Sequence, residues 1–169
     1  KKKGIDILTT GDWTHPVWLR EIKNQLEEAG EGVFKIKDQI SKIKDMSAKS
    51  EREPLFLLTV EVSSIYSQGG KLRRIHNLIF APSFETAEKI IKELQRRGVN
   101  LMSDGRPIMG LSAKDLIELV LTIDKRALLI PCHAWTPWFS LYGSNSGFDS
   151  VDECFGEYAK YIYGIETGL

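Results

Sequence analysis

Short apolar runs of strand length alternate along this chain with longer stretches whose apolar residues recur at helical spacing. Ile5-Asp6-Ile7-Leu8, the run from Leu55 to Val60, the run from Ile75 to Phe80 and the run from Leu128 to Cys132 read as buried strands. Leu19, Ile22 and Leu26 share one face of a helix that ends near Gly30, and Pro16 ahead of it biases His15 toward an extended backbone. Ser83 caps a second helix, which turns Ala87, Ile90, Ile91 and Leu94 inward and closes at Gly98. Ser112 with Asp115, and Ser150 with Glu153, have capping-box spacing for two further helices. The strand ending at Glu61 and the strand carrying His76 are joined through Gln68-Gly69-Gly70, too short a link for a helical crossover, which predicts a hairpin. A last strand is expected to end near Glu166. Strands alternating with helices, plus one hairpin, predict an α/β fold, with an irregular barrel favoured over an open sheet.

The totals leave that picture standing and narrow it. At 169 residues the chain suits one domain with a real core. Lys+Arg and Asp+Glu both number 23, so no bulk charge attraction to nucleic acid is built in, although local basic patches remain. The apolar runs are strand-sized, which gives no membrane span, and no signal peptide follows Lys1-Lys2-Lys3. The lysine- and glutamate-rich stretch from Lys35 to Pro54 reads as a solvated excursion, with Lys42, Lys44, Lys49 and Arg52 in it. Cys132 and Cys154 show no zinc-type spacing and fit a reduced, cytoplasmic setting.

Chemistry-bearing residues collect where the apolar runs end. All three histidines lie there: His15 and His133 just past a run, His76 inside one. Asp12 follows the first run and Glu61 the second. Oxygen and imidazole ligands offered from several strand ends are how a barrel-like α/β enzyme assembles a metal site. Asp12, Glu61, His76 and His133 therefore form a candidate site for zinc or manganese. Each residue alone has a plainer reading: Asp12 as a helix cap, Glu61 as a partner of Arg73 or Arg74, each histidine as a satisfied core residue. Their joint placement favours the metal. The segment His133-Ala134-Trp135-Thr136-Pro137-Trp138-Phe139 is either a set of hydrophobic plugs or a stacking surface for a base or sugar. Ser63, Tyr66, Lys71, Arg73 and Arg74 mix hydroxyls, an aromatic ring and cations near the hairpin, a combination that holds phosphates or simply edges a sheet. Arg106 offers a bidentate phosphate clamp or a partner for Asp104. No glycine-rich phosphate loop with a following lysine is present, so no nucleotide cofactor is expected.

Thr10-Gly11-Asp12-Trp13-Thr14-His15-Pro16, Thr59-Val60-Glu61-Val62-Ser63-Ser64, Ile75-His76-Asn77-Leu78-Ile79-Phe80-Ala81-Pro82, Ser103-Asp104-Gly105-Arg106-Pro107 and Pro131-Cys132-His133-Ala134-Trp135-Thr136-Pro137-Trp138 resemble, in order, the PHP-type metal-dependent phosphoesterases, and most of all their endonuclease Q branch. The likeness covers essentially the whole chain. It implies a distorted (β/α)7 PHP-type barrel, incomplete in this chain, with divalent metal ions at the strand ends: zinc, or alternatively manganese or magnesium. It implies a hydrolase of DNA repair, an endonuclease cutting 5′ to deaminated or abasic nucleotides, with damaged DNA as partner and no membrane. By position, Asp12, Glu61, His76 and His133 match family metal ligands. His15 falls where many PHP proteins carry a ligand and this branch often carries asparagine. In the implied mechanism Glu61 bridges metals, Ser63, Lys71, Arg73, Arg74 and Arg106 hold the phosphate backbone, and Trp138 contacts an extruded base. The family's opening His-x-His and later Asp-x-His motifs are not in these residues, so the chain is expected to be an internal fragment of a single, partial PHP domain, inactive alone and catalytic in its full-length parent. A small-molecule phosphatase of the same superfamily and a non-catalytic nucleic-acid-binding module are the alternatives. A cytoplasmic location, on the nucleoid in a prokaryote, goes with the DNA reading.

Overall fold

The structure is a computed structural model that describes residues 4–37, 54–103 and 105–168. The chain runs through β1 (Ile7–Thr9), α1 (Pro16–Gln25), β2 (Leu26–Gly30), β3 (Val33–Ile36), β4 (Leu55–Gln68) and β5 (Lys71–Ala81). It continues through α2 (Phe84–Arg96), β6 (Ile108–Met109), α3 (Ala113–Ile123), β7 (Leu128–Pro131), α4 (Val151–Phe155) and a 3-10 turn over Gly156–Tyr161. The predicted excursion over about 35–54 lies largely outside the described residues.

The centre of the molecule is the β4–β5 hairpin, paired antiparallel without interruption from Leu58↔Ala81 to Gln68↔Lys71. Gly69 and Gly70 both have positive φ (60° and 72°), which a two-residue turn matched to strand twist requires and glycine supplies without a Cβ clash. β7 adds antiparallel to β5, and the short β1 and β6 each run parallel to β4. The full sheet has seven strands in the order β2-β3-β4-β5-β7, with β1 and β6 joining at β4. Among the described residues this sheet does not close on itself, so the expected barrel is replaced by an open, mixed sheet.

Alternation along β4 and β5 sends successive side chains to opposite faces. Leu58, Val60 and Val62 on β4, with Ile75 and Ile79 on β5, are fully buried against Ala87, Ile90 and Leu94 of α2 and Leu116, Ile117 and Val120 of α3. Ser83 and Ser112 cap these helices by accepting the backbone N–H groups of Thr86 and Asp115, as their spacing predicts. Ser150 does the same for α4 through Glu153.

Four elements differ from expectation. The first helix stops at Gln25, not near Gly30, and Leu26 is buried as the first residue of β2. The β2–β3 hairpin was not foreseen, because a register shift between Glu28 and Gly30 breaks the alternation that marks a strand. The first run forms β1, but its side chains are exposed, Ile7 by 58%. Residues 162–166 are not a strand, although Glu166 N–H donates to Pro131 O (3.0 Å) and Ala134 N–H to Glu166 O (2.9 Å).

Candidate metal centre

The face of the sheet turned away from α2 and α3 carries the other half of the alternation: Thr59, Glu61 and Ser63 on β4, and Leu78, His76 and Arg74 on β5. β7 delivers Cys132 beside His76, whose backbone carbonyl accepts the Cys132 N–H at 3.0 Å, and His133 follows immediately. Glu61 and His76 thus come from the middle of β4 and β5, and His133 from just past the end of the adjacent β7. His76 Nδ1 lies 2.9 Å from His133 Nε2 and 3.2 Å from Glu61 Oε1, and His133 Nε2 lies 4.0 Å from Glu61 Oε1.

Those separations suit one cation. Ligand atoms about 2.0–2.2 Å from a shared tetrahedral ion sit roughly 3.4 Å apart. Glu61 Oε1 is buried and makes no well-formed hydrogen bond among the described residues, and Ser63 Oγ, directly across from His76, is buried and unpaired as well. Buried polar atoms left without partners are costly, so the site has unused donor capacity at the point where an ion would sit. Burial pushes the Glu61 carboxyl up, but His76 and Arg106 outweigh it and hold the group down at about 2. Burial pushes the His76 imidazole below its ordinary value, against the upward pull of Glu61. An ionised carboxylate and a neutral imidazole are the forms a metal needs.

The second oxygen of Glu61 is taken by Arg106, Nη2 to Oε2 at 2.9 Å. Arg106 therefore pairs with Glu61; the alternative partner, Asp104, lies outside the described residues. A cleft of about 580 Å³ opens beside this pair, lined by Thr9, Asp12, His15, Trp18, Thr59, Glu61 and Arg106 among others. Asp12 and His15 face the same cleft as Glu61 but are not among the three clustered donors. Asp12 instead accepts the Thr14 N–H (3.2 Å) and hydroxyl, and α1 is capped by His15 without a side-chain bond.

An aromatic rim borders the cluster. The Phe139 ring stacks on His76 (centroids 4.6 Å apart, planes 27°), and Phe139 O accepts the His76 backbone N–H at 2.9 Å. The Arg74 guanidinium lies over the Trp138 ring at 5.0 Å, and Trp138 is 48% exposed. Trp135 is exposed too and stacks on Tyr142. The two tryptophans are thus not buried plugs. Behind them the loop is tight: a Cβ on Gly147 would meet Gly143 N at 2.3 Å, so only glycine fits.

Not every residue singled out in the sequence reaches this face. Arg73 is buried on the helix side, donating to Gly147 O and pairing with Glu153 (2.9 Å) over the Phe148 ring. Tyr66 shares that side, opposite Arg73 in register, and burial raises its phenol well above the usual range. Neither faces the cluster, since the alternation that brings His76 to one face puts Arg73 on the other. Lys71 is exposed at the hairpin tip, far along β5 from His76. One residue was missed. Glu166 Oε2 accepts the His133 N–H at 2.7 Å and lies 3.5 Å from His133 Nδ1. No sequence pattern joins the two, which meet only because residues 162–166 lie alongside β7.

With this geometry in view, the known proteins can be set beside it. No family model matches the chain. An uncharacterized protein of Methanocaldococcus jannaschii is 28% identical over 137 residues, a match covering 81% of this chain and 13% of that protein. Among solved structures, the lesion-specific endonuclease Q of Pyrococcus furiosus superposes with a TM-score of 0.72 at 25% identity, over 98% of this chain and 34% of its own. Endonuclease Q in complex with a 27-mer duplex substrate, with an abasic lesion at the active site, gives a TM-score of 0.74 at 28% identity, over 99% of this chain and 35% of that one. The fold is endonuclease Q-like. The chain spans about a third of the length of the endonuclease Q structures it resembles and a smaller part of its archaeal relative. Among the described residues no helix is long and apolar enough to cross a membrane.

Proposed function

We propose that this chain contributes the Glu61–His76–His133 part of the metal centre of a DNA-repair endonuclease that cuts 5′ to a deaminated or abasic nucleotide. The observation that carries the reading is the convergence of Glu61 Oε1, His76 Nδ1 and His133 Nε2 within 4.8 Å, on a fold like that of a lesion-specific endonuclease. The open sheet is, in this reading, part of a PHP-type barrel, with the site face turned to its interior. Two imidazoles and one carboxylate are a donor set for zinc, with manganese or magnesium as alternatives. The chemistry such a cation supplies when bound is Lewis-acid stabilisation of phosphoryl charge and a lowered pKa for water. Asp12 and His15, across the cleft, are candidates for a further ion shared through Glu61.

The chain's own residues supply the rest. Arg106 sits where a phosphate oxygen can displace Glu61 Oε2 from its guanidinium. Arg74 and Trp138 form an exposed platform next to His76 on which a base turned out of the duplex can stack. Three clustered donors hold one cation, and cleavage is proposed where further ligands stand beside them.

The test uses a duplex with one abasic site and its intact counterpart. The chain is expected to bind the lesion duplex more tightly in zinc or manganese than in chelator, and to cut neither. In a longer protein containing this sequence, His76→Ala should abolish cleavage of the lesion strand. Equal binding of both duplexes, together with full cleavage by His76→Ala, would contradict the reading.

A further inference from the structure

We infer that Glu166 is a positioning residue, holding the His133 ring so that Nε2 faces Glu61 and His76. The inference rests on the metal centre proposed above and adds a residue to it. An imidazole has two nitrogens, and the hydrogen bond made by one sets which lone pair the other offers. His133 Nε2 points into the cluster, 2.9 Å from His76 Nδ1, while Nδ1 points at Glu166 Oε2, 3.5 Å away. A carboxylate behind a histidine ligand fixes its tautomer and ring orientation and raises its basicity.

The backbone shows that the approach is built into the fold. His133 has φ of +29°, a backbone conformation that residues with a Cβ rarely adopt. The same Glu166 oxygen accepts the His133 N–H at 2.7 Å, and main-chain bonds tie Glu166 to Pro131 and Ala134 on either side. The strained residue is therefore clamped by the group its ring faces. The Glu166 side chain is otherwise 53% exposed.

A competing arrangement uses the same atoms. Cys132, His133 and Glu166 also lie within 4.8 Å of one another and could hold a cation themselves. The two arrangements differ in one ligand type, since this one brings in the buried Cys132 sulfur.

The experiment measures zinc affinity of the 169-residue chain against a chromophoric chelator, for the wild type, Glu61→Gln, Glu166→Gln and Glu166→Ala. Cobalt(II) spectra and nitrogen–proton NMR of the zinc-loaded His133 ring accompany it. Both Glu166 variants are expected to bind zinc about 10–100-fold more weakly, with the His133 Nδ1 proton lost from the spectrum and no sulfur-to-cobalt band in any protein. Gln keeps an oxygen for the His133 N–H, so a purely structural role predicts a wild-type-like Glu166→Gln and an impaired Glu166→Ala. That pattern overturns the inference, as does wild-type affinity in both variants. A sulfur-to-cobalt band overturns it in favour of the Cys132 arrangement. No zinc binding by the wild type overturns the metal centre itself, and Glu166 with it; loss in Glu61→Gln alone leaves the centre and rejects only Glu166.

Discussion

The two faces of the β4–β5 hairpin are made by alternate residues of the same two strands, and they differ in what covers them. On one face Leu58, Val60, Ile75 and Ile79 disappear under two helices. On the other, Thr59 and Glu61 line a cleft with Arg106, and His76 and His133 cluster beside Glu61. The difference shows how a chain separates stability from function. Apolar burial is concentrated on the covered face, which leaves the other face of the same strands to carry a cluster of ionisable side chains.

Neighbouring substitutions offer the strongest test of that division. Ile75→Ala should cost about 2–5 kcal/mol through lost burial and the cavity left behind, read as a lower urea midpoint, with zinc affinity kept in the folded protein. His76→Ala, one residue on, should leave the midpoint nearly unchanged and remove zinc binding. Equal destabilisation by both would break the comparison.

Arg73 and Arg74 sharpen it. Arg73→Ala removes a buried ion pair with Glu153 and a contact with Phe148, and should cost about 3 kcal/mol, the low end for a buried pair because Glu153 is partly exposed. Arg74→Ala and Trp138→Ala should barely change stability. Trp138→Ala should weaken binding of lesion-bearing DNA by about tenfold, as expected for one lost stacking contact, with zinc affinity unchanged. If Arg73→Ala behaved like Arg74→Ala, the assignment of faces would be wrong.

The smallest effect concerns the covered side. Burial pushes the Cys154 thiol up to about 12, although a hydrogen bond with Tyr66 lowers it somewhat. Iodoacetamide at pH 8 should therefore label Cys154 only after unfolding. The folded pKa lies above the unfolded one, so the stability linked to this thiol is present below about pH 9 and is lost as pH rises toward 12. Rapid labelling of the folded protein would show that the α4 side is looser than the structure has it.

Much of this was legible in the chain because local rules decided it. Gly69-Gly70 fixed the hairpin, Ser83, Ser112 and Ser150 fixed three helix starts, and the placing of Glu61, His76 and His133 in or just past apolar runs marked the cluster. What stayed hidden depends on parity or on distant partners. Arg73 looked like a phosphate contact by composition, while its parity with Ile75 assigns it to the core. Leu26 continued a helical spacing, but its pairing with Ile36 turned it into a strand. Asp12 shares the cleft yet bonds to Thr14, and Glu166 meets His133 across 33 residues, which no local pattern encodes. The open sheet was missed because alternating strands and helices predict a parallel barrel equally well, whereas here antiparallel pairing dominates.

The central claim is that the open face holds a divalent cation through Glu61, His76 and His133. X-ray absorption at the zinc edge of the zinc-loaded chain tests it most directly. The account predicts a shell of nitrogen and oxygen at about 2.0–2.2 Å with imidazole scattering and no sulfur, lost in His76→Ala. A sulfur shell near 2.3 Å, or a spectrum unchanged by His76→Ala, would contradict it.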